Sequence, residues 1–355
     1  MPESVKKPLI DTLMSGYIGQ GPRVEEFESL LSKWIRNSNV LTVNAGTSAL
    51  HLAYHMIIEN SGDEIITTPM TCTATNTPIV NTKGGKIVWA DVDPYTGLID
   101  PDDIEKKITP RTKGIVMVHL GGNPCDIDRI NEIAKKHNLK TIEDAAHAFG
   151  STYKGRRLGN NTSDFVMFSF QAIKHLTTID GGALITKSKD DYKRGKLLRW
   201  YGIDREIKSE DLRCEEDVKE AGYKFHMNDV CAVVGVEMMK YVEEIIAKHR
   251  ANAKFYNDNL KVDYVKESSD GKSAYWMYTI HIKGGRRDEF IRYMKDNGVL
   301  VSKVHSRNDT HTMFKDFKAE LPGLEEYYKS MCSIPVGWWL AEKECVKIAD
   351  LVNKF

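Results

Sequence analysis

The 355-residue chain lacks a net charge and any long apolar run. Lysine plus arginine and aspartate plus glutamate both number 50, so no overall field attracts nucleic acid or an anionic membrane surface. No stretch approaches the roughly 18 apolar residues that a membrane helix requires, and the first residues carry no apolar run of signal-peptide length. We therefore expect a cytoplasmic protein that binds neither nucleic acid nor membrane and holds any anionic ligand in a local site.

Patterned cysteines are also missing. The six cysteines form no CxxC pair and have no histidines at metal-ligand spacing, so neither a zinc site nor a disulfide framework is indicated. We expect free thiols and no bound metal.

What remains is an ordinary globular composition, 41% hydrophobic and 28% charged, in a chain long enough for one large and one smaller domain. This size is typical of enzymes.

Short β-branched runs alternate with helix-like segments from about residue 40 to 190. Alternation of this kind is typical of βα units around a mostly parallel sheet. The predicted strands are EIITT (64–68), KIVWADV (86–92), GIVMVHL (114–120), KTIEDA (140–145), DFVMFSF (164–170) and GALITK (182–187). In open sheets of this class, ligands bind beyond the carboxyl ends of the strands. Residues that directly follow a strand are therefore the first candidates for chemistry.

A long helical pattern over residues 229–260 leads away from the predicted sheet, and shorter strands and helices follow it. We predict an α/β protein with a large domain of residues 1–240, in which helices flank a mostly parallel sheet. A smaller α+β domain is predicted for residues 241–355. The charged segment 205–221 is expected to be a solvent-exposed loop.

The first candidate motif is SFQAIKHLTTIDGG (169–182), in which Lys174 follows an apolar strand. A partly desolvated lysine there has a lowered pKa, and its free amine can attack a carbonyl carbon. Taken alone, the motif fits a surface lysine at least as well. A hydroxyl such as Ser169 and small residues after a strand suit many loops.

The second motif is TIEDAAHAFG (141–150), which delivers Glu143 and Asp144 at a strand end and His147 shortly after. A carboxylate in this position can keep a pyridine nitrogen protonated, and a lysine paired with such an acid is typical of pyridoxal 5′-phosphate (PLP) enzymes. The alternative is that Asp144 caps a following helix and His147 only packs. Spacing does not separate the two readings.

The third motif is VNAGTSALHLAYH (43–55), in which a Gly-Thr-Ser turn opens a helix after a strand. Backbone N–H groups and hydroxyls at a helix N-terminus favour an anion such as a phosphate. The spacing matches neither a Walker loop nor a GxGxxG turn, and an ordinary capped helix explains it as well. Together, however, the three motifs supply an imine-forming amine, a ring-nitrogen acid and a phosphate cradle at the strand ends of one predicted sheet.

With these motifs in place, the sequence resembles the DegT/DnrJ/EryC1/StrS family of PLP-dependent sugar aminotransferases, which have the type I aspartate aminotransferase fold. The likeness covers almost the whole chain. Besides the three motifs, it runs through SGYIGQGPRVEEFE (15–28), DVDPYTGLIDPDDIEKKITPRTKGIVMVHLGGNPCDID (91–128), GYKFHMND (222–229), VHSRNDTH (304–311) and IPVGWWL (334–340). So continuous a match is specific to this family.

The resemblance implies a role for each matching position. Lys174 would form the Schiff base with PLP and carry protons between substrate and cofactor. Asp144 would pair with the pyridine nitrogen, and His147, where the family more often has glutamine, would contact the phenolic oxygen. The cofactor phosphate would be bound by Gly46, Thr47, Ser48 and Ser169. Substrate contacts are expected at Tyr17, His305, Ser306, Arg307 and Asn308.

The chain departs from the family at three places. Cys72 stands where the family usually has an aromatic residue stacked on the cofactor ring, and a thiol is too small to stack in that way. Where the family often reads GYNYR, this chain reads GYKFH, so Lys224 would offer a charge to the cofactor phosphate of the neighbouring subunit and His226 replaces the arginine. Asn228 would belong to the same neighbouring site. HLGG (119–122) lacks the aromatic residue that often precedes the second glycine in the family.

The retained lysine decides between the reactions of the family, since related sugar 3-dehydratases replace it with histidine. Lys174 therefore favours a ping-pong transamination in which L-glutamate leaves as 2-oxoglutarate and pyridoxamine 5′-phosphate is formed. The amine acceptor implied by the resemblance is carbon 4 of a dTDP- or GDP-linked 4-keto-6-deoxy hexose. A 3-keto sugar or keto cyclitol, or a non-catalytic sensor of the same fold, are the alternatives. A homodimer with shared active sites is expected.

Overall fold

Strands and helices alternate along the chain in the computed structural model, which describes residues 1–207 and 217–355. In this part of the chain the strands are β1 (Val40–Val43), β2 (Glu64–Thr67), β3 (Lys86–Trp89), β4 (Thr112–Val118), β5 (Lys140–Asp144), β6 (Thr152–Tyr153), β7 (Arg156–Arg157), β8 (Phe165–Ser169), β9 (Gly182–Thr186), β10 (Asp263–Tyr264), β11 (Gly271–Lys272), β12 (Tyr278–His281) and β13 (Met331–Ile334). The α-helices are α1 (Lys6–Met14), α2 (Pro22–Ile35), α3 (Gly46–Ile57), α4 (Thr73–Asn81), α5 (Pro101–Lys106), α6 (Ile127–Lys136), α7 (Lys189–Leu198), α8 (Asp229–Met238), α9 (Val242–Asn259), α10 (Arg287–Asp296), α11 (Pro322–Ser330) and α12 (Glu342–Lys354).

Seven strands form the main sheet in the order β1-β9-β8-β5-β4-β2-β3. Neighbours from β8 to β3 pair in parallel, whereas β9 runs antiparallel to both β8 and β1. The connection from β8 to β9 contains no helix, so the chain returns beside β8 in the opposite direction. The prediction of a mostly parallel sheet flanked by helices is confirmed, and each of the six predicted strands is present.

The helical pattern over residues 229–260 forms two helices and not one. The amide groups of Lys240 and Tyr241 bond to the carbonyl groups three residues earlier, which tightens the chain into a turn after α8. α8 packs on α1 and α2, and the first turns of α9 join the same large apolar cluster through Val242, Ile245 and Ile246. The later residues of α9 contact α12, so the change from one packing surface to the other occurs within α9.

A second apolar cluster, drawn from residues 253–352, surrounds the antiparallel sheet β10-β12-β13. Helices α9, α10 and α12 supply most of its remaining side chains. Side chains of α11, among them Leu324 and Tyr327, join the larger core instead. We propose that the smaller domain is organised around the second cluster, with α11 lying at the junction of the two domains.

The charged segment 205–221 was expected to be an exposed loop, but its central residues 208–216 lie outside the described part of the chain. The residues on either side of them, 205–207 and 217–219, are exposed. The segment is anchored again at Glu220, whose carboxylate accepts two hydrogen bonds from Arg194 at 2.9 and 2.7 Å. The same carboxylate lies 3.0 Å from Nε2 of His55.

The start of α2 is capped from a distant part of the sequence by Asp229. Its Oδ1 accepts the amide hydrogens of Gly21 at 2.8 Å and Val24 at 3.0 Å, and its Oδ2 accepts that of Arg23 at 3.2 Å. The carboxylate is buried and carries the charge that the helix N-terminus favours. It therefore fastens α2 to α8.

Replacing Asp229 with alanine leaves three amide hydrogens without their acceptor, two of them in the first turn of α2. We expect the free energy of unfolding to fall by about 1–3 kcal/mol, measured by urea titration with far-UV circular dichroism. Asp258→Ala is the matched control, because that exposed carboxylate pairs with Lys254 in the preceding turn, and we expect a change below about 0.5 kcal/mol. Equal losses in the two variants would contradict the capping role.

Candidate active site

The carboxyl ends of β1, β5 and β8 meet at one edge of the main sheet, because β1 and β8 flank β9 and β5 lies beside β8. α3 begins at Gly46, just after β1, and a Cβ placed on Gly46 would lie 3.0 Å from Cβ of Ser169 at the end of β8. Asp144 ends β5, and the lysine loop follows β8. The three sequence motifs therefore come together in space.

Lys174 lies in the turn after β8, where its amide N–H bonds to the carbonyl oxygen of Gln171 at 2.9 Å. Burial lowers the pKa of its amine from 10.5 to about 8, although the nearby groups of Asp144 and Cys72 act in the opposite direction. A lysine with this pKa has a usable fraction of free amine near neutral pH. The surface-lysine alternative does not fit this environment.

Asp144 is fully buried at the end of β5 and accepts two hydrogen bonds. The hydroxyl of Thr75 donates to Oδ2 at 2.7 Å, and the amide of Ala146 donates to Oδ1 at 3.1 Å. Burial raises the pKa of the carboxyl, whereas these two hydrogen bonds and the charge of Lys174 lower it. Residues 145–150 form turns and no helix, so the helix-cap alternative does not apply.

Glu143 belongs to a different contact, because successive residues of a strand point to opposite faces. Its Oε2 lies 3.0 Å from Nε2 of His119, and both side chains are fully buried. Nδ1 of His119 accepts the amide hydrogen of Cys125 at 3.1 Å, so Nε2 carries the proton that is shared with Glu143. Of the two acids in the motif, only Asp144 shares a face with Lys174.

Small residues leave room at the N-terminus of α3. A Cβ on Gly182 would lie 2.6 Å from the backbone nitrogen of Gly46, so the two glycines allow β9 to pass directly beside the helix start. Ser48 donates its hydroxyl to Oδ1 of Asn44 at 2.7 Å, and Thr47 is exposed. This cradle suits a phosphate, because the helix dipole favours an anion there.

The segment containing Lys224 runs beside the same helix start. The amide of Asn44 donates to the carbonyl oxygen of Phe225 at 2.7 Å, and Val43 pairs with His226 in an isolated bridge. The side chain of Lys224 is exposed. Asn228 lies a few residues on, where its Oδ1 accepts the amide hydrogen of Cys231 at 2.8 Å and caps α8.

Three rings form a stack beside Lys174. His147 lies parallel to Trp276 with ring centroids 3.8 Å apart, and parallel to His305 at 5.5 Å. Burial holds the pKa of His147 well below its ordinary value and lowers that of His305 to about 4, and the charge of Lys174 adds to both effects. Nδ1 of His147 and Nε2 of His305 are buried without a hydrogen-bond partner among the described residues.

The other expected substrate contacts are arranged differently. Arg307 donates to both oxygens of Asp309, at 2.9 and 2.7 Å, and to Glu325 at 2.7 Å, so its charge is already paired. Asn308 is fully buried, where it bonds to Asn76 at 2.9 Å. Ser306, Tyr17 and Cys72 are exposed. Among the 304–311 segment, His305 is therefore the side chain that the fold brings to Lys174.

These residues fit PLP. Lys174 supplies a partly deprotonated amine, Asp144 a buried carboxylate, and α3 a cradle that any Cβ at Gly46 or Gly182 would narrow. The unpartnered Nδ1 of His147 can form a hydrogen bond, as donor or acceptor, with a polar group on the pyridine ring of PLP. Together with the mostly parallel sheet, the arrangement defines a PLP-dependent transferase of fold type I.

The chain belongs to the DegT/DnrJ/EryC1/StrS aminotransferase family, whose pattern matches residues 2–353. It is 32% identical over 339 residues to GDP-perosamine synthase of Escherichia coli O157:H7, covering 95% of this chain and 91% of that protein. The solved structure of the sugar aminotransferase CalS13 from Micromonospora echinospora superimposes with a TM-score of 0.94 at 34% identity, covering 100% of this chain and 97% of CalS13. Spr1654 from Streptococcus pneumoniae, solved in PLP and pyridoxamine 5′-phosphate forms, has a TM-score of 0.92 at 25% identity, covering 100% and 96%.

The expected family, fold and cofactor are thus confirmed, and the protein is a PLP-dependent transaminase. Within the described ranges, no helix is long and apolar enough to cross a membrane. Sequence reasoning missed two neighbours of the site, Thr75 and Trp276. The run TTPMTCTATN (67–76) held a signal for the first, because it is rich in hydroxyl groups after a strand, whereas Trp276 is far from Lys174 in the sequence.

The lowered pKa of Lys174 can be measured in the cofactor-free protein. We expect competitive acetylation, read by mass spectrometry of the peptide that contains Lys174, to reach half its limiting rate near pH 8. Exposed lysines in the same digest are the internal standard, because their amines have an ordinary pKa of about 10.4. A Lys174 profile that coincides with theirs would rule out the desolvated amine.

Proposed function

We propose that the protein transfers the amino group of L-glutamate to carbon 4 of a 4-keto-6-deoxy hexose linked to dTDP or GDP. The observation that carries the proposal is the desolvated amine of Lys174 beside the buried carboxylate of Asp144, because this pair serves transamination. The nucleotide sugar is supported by resemblance. GDP-perosamine synthase, by its name, makes a GDP-linked sugar, and it matches 95% of this chain.

Each residue of the site has a proposed task. Bound PLP supplies an electron sink for the carbon that loses or gains a proton. Asp144, oriented by Thr75 and the amide of Ala146, would hold a proton on the ring nitrogen. Lys174 would bond covalently to the cofactor and, once released, take a proton from the amino donor and return one to the keto carbon.

The remaining residues would bind and orient. The start of α3 and Ser169 would hold the cofactor phosphate through backbone N–H groups and hydroxyls. His147, kept neutral by burial, would hydrogen-bond the phenolic oxygen through its unpartnered Nδ1. His305 has the same combination of burial and an unpartnered ring nitrogen. We assign it to the sugar, while the paired charge of Arg307 would have to leave Asp309 or Glu325 to reach a diphosphate.

We also propose that the active site is completed across a homodimer. Apolar side chains are exposed along and after α1, and clusters of this kind mark interaction surfaces. They are Ile10, Leu13, Met14, Tyr17 and Ile18. Lys224 is exposed on a segment that hydrogen bonds hold beside β1, so its charge is free to serve a neighbouring subunit.

Incubation with L-glutamate and a panel of dTDP- and GDP-linked 3-keto and 4-keto sugars, read by mass spectrometry, tests the substrate. We expect an amino sugar from a 4-keto-6-deoxy substrate and a loss of at least about a thousandfold in rate for Lys174→Ala, because that variant lacks both nucleophile and proton carrier. Lys187→Ala, which removes an exposed lysine of the same domain, is the control and should keep full rate. Turnover of the 3-keto sugars alone would contradict the proposal that carbon 4 is aminated.

Mixing two variants tests the shared site. Lys224→Ala should weaken cofactor retention by roughly tenfold or more, and we expect it to be inactive at limiting PLP, as Lys174→Ala is. If Lys224 serves the neighbouring subunit, each mixed dimer has one intact site, so co-refolded protein should recover about a quarter of the sites. No recovery on mixing would place Lys224 in its own subunit's site, and a Lys224→Ala protein that is fully active by itself would place it outside both sites.

A further inference from the structure

Residues 273–277, which lead into β12, pack against the lysine loop. The amide of Ala274 donates to Oγ of Ser151 at 2.9 Å, and Nε2 of His175 donates to the carbonyl oxygen of Ala274 at 3.0 Å. His249 holds the next residue, since its Nδ1 donates to the carbonyl oxygen of Tyr275 at 2.8 Å. These hydrogen bonds hold the backbone directly before residue 276 in place.

That next residue is Trp276, which makes two contacts with the lysine loop and one with His147. Its Nε1–H donates to the carbonyl oxygen of Ile173 at 2.9 Å, directly before Lys174. Nζ of Lys174 lies 3.9 Å from the centroid of the indole ring. The same indole stacks on His147 at 3.8 Å with an angle of 9° between the rings.

We propose that Trp276 is a positioning residue, which holds the amine of Lys174 on its indole face whenever that amine is not bonded to the cofactor. The hydrogen bond to Ile173 fixes the loop, and the stack on His147 fixes the ring that we assign to the phenolic oxygen. Trp276 also supplies the large aromatic surface that Cys72, exposed before α4, does not provide. The inference rests on the proposed role of Lys174.

The physical basis is the attraction between an ammonium group and the electron-rich face of an indole, which grows when water is excluded. Lys174 is free during part of each transamination cycle, so a surface that binds its ammonium form keeps it beside the reacting carbon. The other titratable groups close enough to interact with this amine are Cys72, Asp144, His147, His175 and His305. Burial lowers the pKa of each of the three histidines, which leaves Asp144 as the carboxyl group that interacts with the amine.

Two substitutions separate the aromatic face from simple filling of space. Trp276→Phe keeps a ring but loses the N–H, whereas Trp276→Leu loses both, and the two leave similar room for water. In cofactor-free protein, competitive acetylation should give Lys174 a pKa about half a unit higher in the phenylalanine variant than in the leucine variant. Equal pKa values of Lys174 in the two variants would overturn the proposal. A residue that only fills space would change this pKa through its volume alone.

Trp338→Phe is the matched control, because that tryptophan is 49% exposed and lies outside the 273–277 segment. We expect it to leave the acetylation profile of Lys174 unchanged, and a shift as large as that of Trp276→Leu would also overturn the proposal. Urea midpoints confirm that the variants are folded. An active Lys174→Ala protein would defeat the proposed function, whereas equal pKa values with Lys174 still essential would defeat the Trp276 inference alone.

Discussion

The burial of one lysine amine constrains the rest of the site. Lowering the pKa of a lysine amine to about 8 requires partial exclusion of water, and Lys174 reaches such an environment in the loop that crosses from β8 to the antiparallel β9. Asp144 ends the neighbouring strand β5, close enough for its carboxyl group to interact with the amine. Together with the start of α3 after β1, the ends of β5 and β8 thus place the candidate residues at one edge of the sheet.

The site divides its polar groups between two faces of β5. Asp144 points to Lys174 and is held by Thr75, whereas Glu143 points away and pairs with His119 in the core. A buried pair of that kind keeps a second carboxylate from competing for the lysine. The neutral histidines complete the pattern, since they bring hydrogen-bonding atoms to the amine without adding charge.

The 273–277 segment, distant in the sequence, takes part in this arrangement. Its hydrogen bonds with Ser151, His175 and Ile173 hold it beside the lysine loop, and Trp276 lies against the amine. The segment lies where the two apolar clusters meet, since Ala274 and Met277 belong to the larger cluster and Tyr275 to the second.

The sequence by itself determined the six predicted strands, the position of Lys174 and Asp144 after two of them, and the glycine turn at Gly46, because each depends on a local pattern of apolar, charged and small residues. It also carried the family resemblance. The tertiary structure decided what depends on distant contacts: the reversal of β9, the break before α9, the pairing of Arg307 with two carboxylates, and the placing of Thr75 and Trp276. Local patterns do not encode which strands become neighbours, so side chains from separate segments meet only once the sheet and the second domain have formed.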